Sequence, residues 1–320
     1  MTYISVIKSG PYTTIQDAGR RGYQHLGVPA SGALDLDALQ IGNQLLQNPK
    51  GTNALEICFG GAEILFHDHR FVIITGSEGV QITKQTKQGR TALYPAGAII
   101  ELHAQDRLII APFGDSLSCL LCLSGGCDVP PIYSSTATTP NVGIGGYQGR
   151  ILQQGDDIPL APCQILPPIN DKIDASFFTK PQRLRIMAGP QNDWFTPDGL
   201  ANLTTSSYKI LPQSNRMGMR LSGPTLHHKG PADIISDGMV RGAIQVPADG
   251  QPIIAMADHG TMGGYTKIAT VIAADLSAMG RLRPHDVVQF EMVTSEEAGH
   301  ALQKQTALKK AIFHQLPHRP

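Results

Sequence analysis

Short apolar runs separated by glycine and proline are the feature that most restricts how this chain can fold. The first run, YISVIKSG, alternates apolar and polar residues. Similar runs follow over 56–66, 71–77, 96–103, 106–113, 117–129, 182–189, 243–247, 251–258 and 286–293. The chain also holds 34 glycines and 23 prolines, while aromatic residues make up only 6%. Many short strands joined by turns are typical of a sandwich or barrel, so the sequence predicts a mainly β protein.

Helical periodicity is confined to a few segments. Apolar residues recur at helical spacing within 31–49, and this pattern predicts a helix near 34–47. A second helix is expected after Thr294, because Thr294 and Glu297 have the spacing of a capping box. Residues 266–280 fit either a helix or a strand followed by a helix.

A proline-rich segment divides the chain. Residues 156–172 contain four prolines and are typical of a linker. We therefore place a domain boundary near 160–182. The predicted parts are a β-rich domain over 1–165, a β-rich domain over 175–295 and a helical tail over 296–320.

The charge balance excludes several classes of partner. Lys+Arg and Asp+Glu both number 26, so no net charge attracts nucleic acid or an anionic membrane. Charged residues are only 16% of the chain, which indicates that a partner covers part of the surface. The sequence shows no signal peptide and no apolar run near 18 residues, and it has five cysteines. We expect a cytoplasmic protein with reduced thiols.

The familiar catalytic and metal-binding motifs are absent. The sequence has no Walker A loop, no G-x-S-x-G elbow and no H-E-x-x-H helix. The glycine-rich 143–149 predicts a hairpin or loop. The C-x-x-C at 119–122 lies in a strand-like run, which places its thiols on opposite faces and prevents them from sharing one zinc ion. His-Asp-His at 67–69 and the pair at 227–228 each have metal-ligand side chains, but solvated turns are favoured, so we predict no metal site.

One polar cluster precedes the first predicted helix. Gln16, Asp17 and Arg20 lie in a segment punctuated by glycine. Free backbone N–H groups before a helix suit an anionic ligand, and an arginine can hold a carboxylate through two hydrogen bonds. Alternatively, Asp17 and Arg20 pair with each other and hold the loop in shape.

A second polar cluster interrupts the sequence GQPIIAMADHGTMGGYTKIA. An apolar run ends on Asp258 and His259, and Gly263 and Gly264 follow. This pattern is typical of a loop that presents a carboxylate at a sheet edge. It is also typical of a tight turn in which glycine adopts a positive φ, and the spacing alone favours the turn.

Four segments together resemble one family. They are TTIQDAGRRGYQHLGVPASGALDLDA near the N-terminus, LSGGCDVPP with GIGGYQGR, SNRMGMRLSG, and GAIQVPADGQPIIAMADHGTMGGYTKIATVIAADL. In this order they are similar to the KipA/PxpC family, also called allophanate hydrolase subunit 2 or carboxyltransferase domain proteins. The resemblance runs from about residue 3 to 293. It implies a β-rich fold with two domains and cyclophilin-like β-barrels.

The resemblance also implies partners and a reaction. The leading expectation is the C subunit of an ATP-dependent 5-oxoprolinase, which opens 5-oxo-L-proline to L-glutamate with a KipI/PxpB-like partner and a PxpA-like partner. ATP is expected on this chain or on a partner. One alternative is the carboxyltransferase partner of a biotin-dependent urea or amide carboxylase, with biotin on another polypeptide because this chain lacks an A-M-K-M acceptor sequence. Another is a non-catalytic regulator that binds a KipI-type kinase inhibitor.

The expected site follows from these motifs. Asp258 and Asp17 are the expected catalytic residues. The expected substrate-binding residues are Gln16, Arg20, Asn215, Arg216, Gln245, Gln251, Thr261, Gly263, Gly264 and Tyr265. The family's usual Q-T-T-G-G-Y-P is here GTMGGYT over 260–266, and its usual S-E-G or S-H-G is here SDG over 236–238. Two polar side chains of the loop are lost, so the substrate is either the family's usual one or one that differs from it.

Overall fold

The structure, a computed structural model, describes residues 2–163, 167 and 172–314. These residues fall into two compact units, one within Met1–Arg20, Ser31–Thr179 and Lys309–Pro320 and the other within Arg21–Ala30 and Lys180–Leu308. Part of the predicted linker lies outside the described residues. The units are not two consecutive stretches of chain, because the segment Arg21–Ala30 belongs to the second unit.

The described residues are mainly β. The strands are β1 Tyr3–Ser9, β2 Tyr12–Gln16, β3 Ala54–Cys58, β4 Ala62–Phe66, β5 Arg70–Thr75, β6 Ile82–Gln85, β7 Thr91–Tyr94, β8 Ile99–Leu102, β9 Arg107–Ile110, β10 Ser118–Leu123, β11 Asp157–Pro159, β12 Arg183–Ala188, β13 Ser207–Ile210, β14 Gly218–Ser222, β15 Asp233–Gly238, β16 Ala243–Val246, β17 Ile253–Ala255, β18 Met262–Val271 and β19 Val287–Met292. The α-helices are α1 Leu36–Leu45, α2 Pro197–Thr205, α3 Leu276–Met279 and α4 Ser295–His314.

The first unit is a sandwich of two sheets. One sheet has the strand order β11-β1-β4-β9-β6-β7 and the other has the order β2-β3-β10-β5-β8. Aliphatic side chains from both sheets form one buried cluster between them; it includes Ile4, Ile64 and Leu108 from the first sheet and Leu55 and Ile74 from the second. Burial of this apolar surface is the main driving force for the sandwich.

Helix α1 covers the outer face of the second sheet. Its Ile41 and Leu45 belong to a second buried cluster together with Ile73 of β5. The helix begins later than the predicted 34–47, because the Asp35 carboxylate accepts a hydrogen bond of 2.9 Å from the backbone N–H of Ala38 and so caps the first turn.

The two cysteines of the C-x-x-C sequence lie on opposite faces of strand β10. Cys119 belongs to the cluster between the sheets and Cys122 to the cluster under α1. Burial raises the pKa of Cys122 to about 12 and that of Cys119 well above its ordinary value. The prediction that the two thiols lie on opposite faces of the strand is confirmed.

The second unit contains a closed barrel of seven strands. The order is β12-β19-β13-β14-β17-β16-β18, and β18 pairs with β12 to close the cylinder. Strand β15 pairs only with the beginning of β18 among the described strands. Alternate residues such as Leu184, Ile186, Val288 and Phe290 are buried, as expected when one face of each strand fills a small barrel.

The structure decides the two helix predictions made for the C-terminal part of the chain. Residues 266–280 form a strand followed by a short helix, β18 and α3. Helix α4 begins with a reciprocal capping box, in which the Thr294 N–H donates to Glu297 Oε2 at 2.8 Å and the Glu297 N–H donates to Thr294 Oγ1 at 3.2 Å. None of the helices in the described part of the chain combines the length and apolarity that a bilayer crossing requires.

Candidate functional site

The turn between β17 and β18 carries the second polar cluster. Strand β17 ends at Ala255, so Asp258 and His259 lie in the turn itself. Gly263 and Gly264, predicted as loop residues, instead lie within β18. They are extended because β15 pairs with this part of the strand, with Asp237 opposite Gly263.

Asp258 forms a buried ion pair with Arg216. Arg216 Nε donates to Asp258 Oδ2 at 2.8 Å, and Nη2 donates to Oδ1 at 3.0 Å. The Asp258 N–H also donates to the Arg216 carbonyl at 2.7 Å. Both side chains are almost fully buried, at 7% exposure for Arg216 and 2% for Asp258. This two-point pair fixes the turn to the chain that precedes β14.

A cavity of about 230 Å³ opens beside this turn. It is lined by Asn215, Met217, Gly218, Arg220, Met239, Gln245, Ile253, Ala255, His259, Gly260 and Met262. An arginine, two amides and an imidazole thus converge on a space otherwise walled by apolar groups, as in many small-molecule sites. We refer to it as the turn cavity.

A larger cavity of about 460 Å³ lies beside the start of α4. Its walls are mostly aliphatic, including Val271, Leu276 and Leu302, and Arg241 is its one charged lining residue within the described chain. We assign the functional site to the smaller turn cavity, because several groups capable of polar chemistry meet there.

His259 and Arg220 are polar residues of the turn cavity that are not among the site residues expected from the sequence. The His259 side chain is nearly buried, with 5% of the residue exposed. Nδ1 lies 2.7 Å from the Gly260 carbonyl, which only accepts, so Nδ1 carries the proton. Burial lowers the pKa of His259, and the nearby Arg241 charge lowers it further. The ring is therefore neutral at pH 7, with an acceptor lone pair on Nε2 that is suited to general-base catalysis.

Two predicted glutamines have different positions. The Gln245 side chain lines the turn cavity, and its Nε2 donates to the Tyr265 carbonyl at 3.3 Å. The Gln251 side chain is held at Gly223, where Oε1 accepts from the backbone N–H at 2.9 Å and Nε2 donates to the carbonyl at 3.2 Å. Gln245 is thus placed to meet a ligand, and Gln251 to join two backbone segments.

The remaining predicted residues of this unit surround the turn. The carbonyl of Thr261 accepts from the Met239 N–H at 3.0 Å. Tyr265 is 41% exposed on β18. Asn215 lines the cavity, and its Oδ1 accepts from the Met217 N–H at 2.8 Å. These residues were expected in one site from the sequence. The register of the barrel strands explains why they lie around the same turn.

Two loop positions that differ from the family's usual sequence, Met262 and Thr266, have well-defined neighbours in the structure. Met262 is 57% exposed at the cavity rim, and Met217 and Met239 also line the cavity. Thr266 replaces the family's proline; its N–H donates to the Ala232 carbonyl at 2.9 Å, and its Oγ1 lies 2.9 Å from His228 Nε2. A proline would lack that N–H. Flexible thioethers of this kind can adapt to differently shaped ligands.

Lys267 is a further residue that is not among those expected from the sequence. It is 3% exposed, and its Nζ donates to Asp237 Oδ2 at 2.6 Å and to the Gly238 carbonyl at 3.2 Å. Asp237 occupies the changed position of the family's S-E-G or S-H-G motif. The Lys267 ammonium lowers the pKa of Asp237. This pair holds β15 against β18 beside Gly263.

The predicted residues of the first cluster belong to the other unit. Asp17 accepts from the Gly19 N–H at 2.8 Å, from Ser135 Oγ at 2.7 Å and from the Thr136 N–H at 2.6 Å. Arg20 is 1% exposed, and its Nη1 donates to Thr139 Oγ1 at 2.7 Å.

Further hydrogen bonds from Arg20 and Gln16 also end on the segment 135–139. Arg20 Nη2 donates to the Ala137 carbonyl. Gln16 is the last residue of β2, and its Nε2 donates to the Thr138 carbonyl at 2.9 Å. All three side chains therefore fasten the N-terminal segment to 135–139. Their roles in catalysis and ligand binding stay predictions.

Comparison with known proteins gives the family. The chain matches the family described as carboxyltransferase domain, subdomain A and B, over residues 26–292. It is 33% identical to the C subunit of 5-oxoprolinase from Escherichia coli, covering 94% of this chain and 95% of that protein. It is also 33% identical to the C subunit of 5-oxoprolinase from Haemophilus influenzae, covering 94% of each.

A solved structure agrees with this match. The urea amidolyase of K. lactis superimposes with a TM-score of 0.88 at 26% identity, covering 97% of this chain and 20% of that one. The family match over residues 26–292 and the 33% identity to the two C subunits show that the chain belongs to the carboxyltransferase domain family, subdomains A and B.

Proposed function

We propose that this chain is the C subunit of a 5-oxoprolinase-type enzyme that opens 5-oxo-L-proline to L-glutamate at the expense of ATP. The observation that carries the proposal is the match to 5-oxoprolinase C subunits over nearly the whole length of both chains. A KipI/PxpB-like partner and a PxpA-like partner complete the enzyme in this proposal. The chain has no P-loop sequence, so we assign ATP to one of these partners or to a site shared with one.

The groups of the turn cavity fit a small anionic lactam. The guanidinium of Arg220 supplies positive charge at the cavity wall, and Asn215 supplies an amide beside it. These two groups suit the substrate carboxylate. Gln245 carries both a donor and an acceptor, which suit the lactam C=O and N–H.

His259 is the proposed general base. With its Nδ1 proton held by the Gly260 carbonyl, Nε2 accepts a proton from the water that attacks the lactam carbonyl. The C–N bond of the ring then breaks, and the imidazolium returns the proton to the leaving nitrogen. ATP would supply the driving force: transfer of its γ-phosphoryl group to the amide oxygen, with release of ADP, would weaken the resonance of the lactam. After ring opening, a second water would hydrolyse the resulting acyl phosphate to the glutamate carboxylate and inorganic phosphate.

The buried pair Arg216–Asp258 is the proposed positioning element. Asp258 precedes His259 directly, so the pair fixes the backbone from which the imidazole projects. A rigid turn keeps the base within reach of its proton, and small displacements of catalytic groups are costly. In this proposal Asp258 acts through His259 rather than on the substrate.

The test is reconstitution. The chain is co-expressed with the proteins encoded beside it, and ATP hydrolysis and glutamate formation are measured with 5-oxoproline, urea and related amides. We expect ATP hydrolysis that depends on 5-oxoproline and on every component of the complex. Turnover of urea without turnover of 5-oxoproline would overturn the proposal.

The structural likeness to urea amidolyase supports a second candidate, the carboxyltransferase partner of a biotin-dependent urea or amide carboxylase. Biotin would then sit on another polypeptide. Avidin blotting of the purified complex and bicarbonate dependence of the activity distinguish the two. A biotinylated partner together with a bicarbonate requirement would favour this candidate.

A purely regulatory role is tested with the same complex. If the chain only sequesters a KipI-type inhibitor, His259→Gln will still bind the KipI-like partner and will leave every measured activity unchanged. Loss of turnover with retained binding of that partner supports an enzyme.

A further inference from the structure

The edge of the second sheet in the first unit brings two histidines and a glutamate together. His69 immediately precedes β5, Glu101 lies within β8, and His103 directly follows the last residue of β8. One ligand atom from each lies within 4.8 Å of the other two. His69 Nε2 and Glu101 Oε1 are 2.8 Å apart, and the rings of His69 and His103 are stacked with centroids 5.0 Å apart.

The strand register explains this cluster. Strands β5 and β8 are antiparallel, with Arg70 opposite Leu102 and Phe71 opposite Glu101. Because side chains alternate between faces, His69 and His103 continue the face that carries Phe71 and Glu101. The Phe71 ring packs edge-on against the His69 ring, with the ring centroids 5.0 Å apart. Glu101 thus projects from a paired strand, and His69 and His103 project from the residues that directly flank the two paired strands.

We propose that His69, Glu101 and His103 form a binding site for a divalent transition metal of the zinc class. Two imidazoles and one carboxylate are the ligand set of many zinc sites with an open position for water or an anion. Imidazole nitrogens bind zinc at about 2.0–2.1 Å, so two of them lie about 3.3 Å apart in a tetrahedral site. His69 and His103 are exposed, and rotation of the side chains closes the remaining distance.

The surrounding charges are compatible with a cation. Zinc binds the neutral form of imidazole, so the ligand set of the occupied site would carry only the charge of one carboxylate. The nearby Lys84 ammonium donates to the Glu101 carbonyl at 2.6 Å, and it is also paired with Asp106 at 3.1 Å, which offsets its charge. The Glu101 carboxylate remains directed toward His69.

His67, the other histidine of the His-Asp-His sequence, is engaged elsewhere. Its Nε2 lies 2.8 Å from Ser5 Oγ, and its ring stacks on Tyr3 with centroids 4.1 Å apart. The two histidines that are close in the sequence, His67 and His69, are therefore not the two that share the proposed site. The two that approach each other are 34 positions apart, and only the register of β5 with β8 brings them together.

The site is tested by zinc titration of the full-length protein. The protein is stripped with EDTA, desalted and titrated with zinc chloride by calorimetry, in a Cys163→Ser background that removes the one cysteine that is not buried. We expect one zinc ion per chain in this background. His69→Ala and His103→Ala should each weaken binding by at least about 10-fold, because even the loss of an outer-shell partner costs 10–100-fold.

Matched variants distinguish a specific zinc site from adventitious binding of zinc. Glu101→Gln keeps the size of the side chain and should also weaken binding, whereas His227→Ala removes an exposed histidine in the other unit and should leave zinc binding unchanged. Cobalt(II) provides a spectroscopic readout, since a site with few ligands gives visible absorption bands that the His69 and His103 variants lose. Zinc affinity that is unaltered in the His69 and His103 variants would overturn the proposal, and so would equal weakening by His227→Ala.

Discussion

Arg216 and Asp258 are joined at two points in the second unit, from Nε to Oδ2 at 2.8 Å and from Nη2 to Oδ1 at 3.0 Å. Both side chains are shielded from water, at 7% and 2% exposure. Removing one member of such a pair leaves the other charge buried without its counter-ion. The pair therefore has consequences for stability as well as for the position of His259.

Asp258→Asn is expected to lower the free energy of unfolding by about 3–5 kcal/mol, the usual cost of breaking a buried ion pair. Urea denaturation of the isolated chain measures this. The control is Glu291→Gln at the exposed pair with Arg183, where the atoms are 3.6 Å apart and the side chains are 47% and 58% exposed. This control should change stability by less than about 1 kcal/mol. Equal, small losses in both variants would contradict the role assigned to the buried pair, and full turnover in Asp258→Asn would remove it from the active site.

His259→Gln is expected to lower kcat in the reconstituted enzyme by about 10²–10⁴-fold while leaving the fold intact, because a general base contributes that much. Burial lowers the pKa of His259 from the ordinary value of 6.5, so the wild-type base stays deprotonated somewhat below that pH. The wild-type pH–rate profile should therefore have an acid limb that begins below pH 6.5, and the residual rate of the variant should lack that limb. His227→Gln serves as the control, and an unchanged acid limb in His259→Gln would exclude His259 as the base.

The same pKa direction has a consequence for stability. The unfolded chain binds a proton at His259 more readily than the folded chain does, so the stabilisation from this residue is fully present above pH 6.5. It is lost as the pH falls from 6.5 toward the lowered pKa of the folded state. Urea denaturation at a series of pH values from neutral to mildly acidic should show a smaller loss of stability in His259→Gln than in the wild-type chain.

Gly263→Ala is expected to raise KM more than it lowers stability. A Cβ at this position would meet Gln245 Nε2 and would lie 2.8 Å from Met239 Sδ, so both cavity side chains must move. Both are flexible ends, which keeps the cost in folding free energy small. At Gly264 the nearest atom to an added Cβ is Ser236 Oγ at 3.8 Å, an ordinary contact. Gly264→Ala should therefore leave KM unchanged, and a rise in KM in both variants or in neither would contradict a ligand-binding role for Gln245.

Asp17→Asn is expected to destabilise the first unit by about 1–3 kcal/mol, because an amide cannot accept all the hydrogen bonds that Ser135, Thr136 and Gly19 donate. Asp128→Asn, at an exposed position of the same unit, is the control and should be nearly neutral. Thermal unfolding measures the difference. If Asp17→Asn instead abolishes turnover at full stability, Asp17 is catalytic, as the sequence reasoning predicted.

The sequence was informative where a local pattern implies a local structure. The capping box at Thr294 and Glu297, the opposed faces of Cys119 and Cys122 and the mainly β character all depend on neighbours in the chain or on a period of about two or 3.6 residues. Such patterns survive in any tertiary arrangement. The strand predicted over 251–258 is shorter in the structure, where it spans Ile253–Ala255. It ends there because Asp258 is held in the following turn by its pair with Arg216.

The side chains of Asp17 and Arg20 bind partners that are distant in the chain. The alternatives were a ligand site and an internal Asp17–Arg20 pair, and the structure places both side chains against 135–139, more than a hundred positions away. No local periodicity encodes such a partner. The catalytic and binding roles predicted for Gln16, Asp17 and Arg20 therefore stand as predictions to be tested by the Asp17 variant.

By itself the sequence determined the fold class, the family and the turn that carries Asp258 and His259, because motifs and periodicities are properties of short stretches of chain. Only the tertiary structure decided that Asp258 is bound to Arg216 and that His259 has its Nδ1 proton engaged. The approach of His69 to His103 likewise depends on strand register. Pairing register and burial are set by residues distant in the chain, and they decide which side chains meet, which lose their water and which remain free to react.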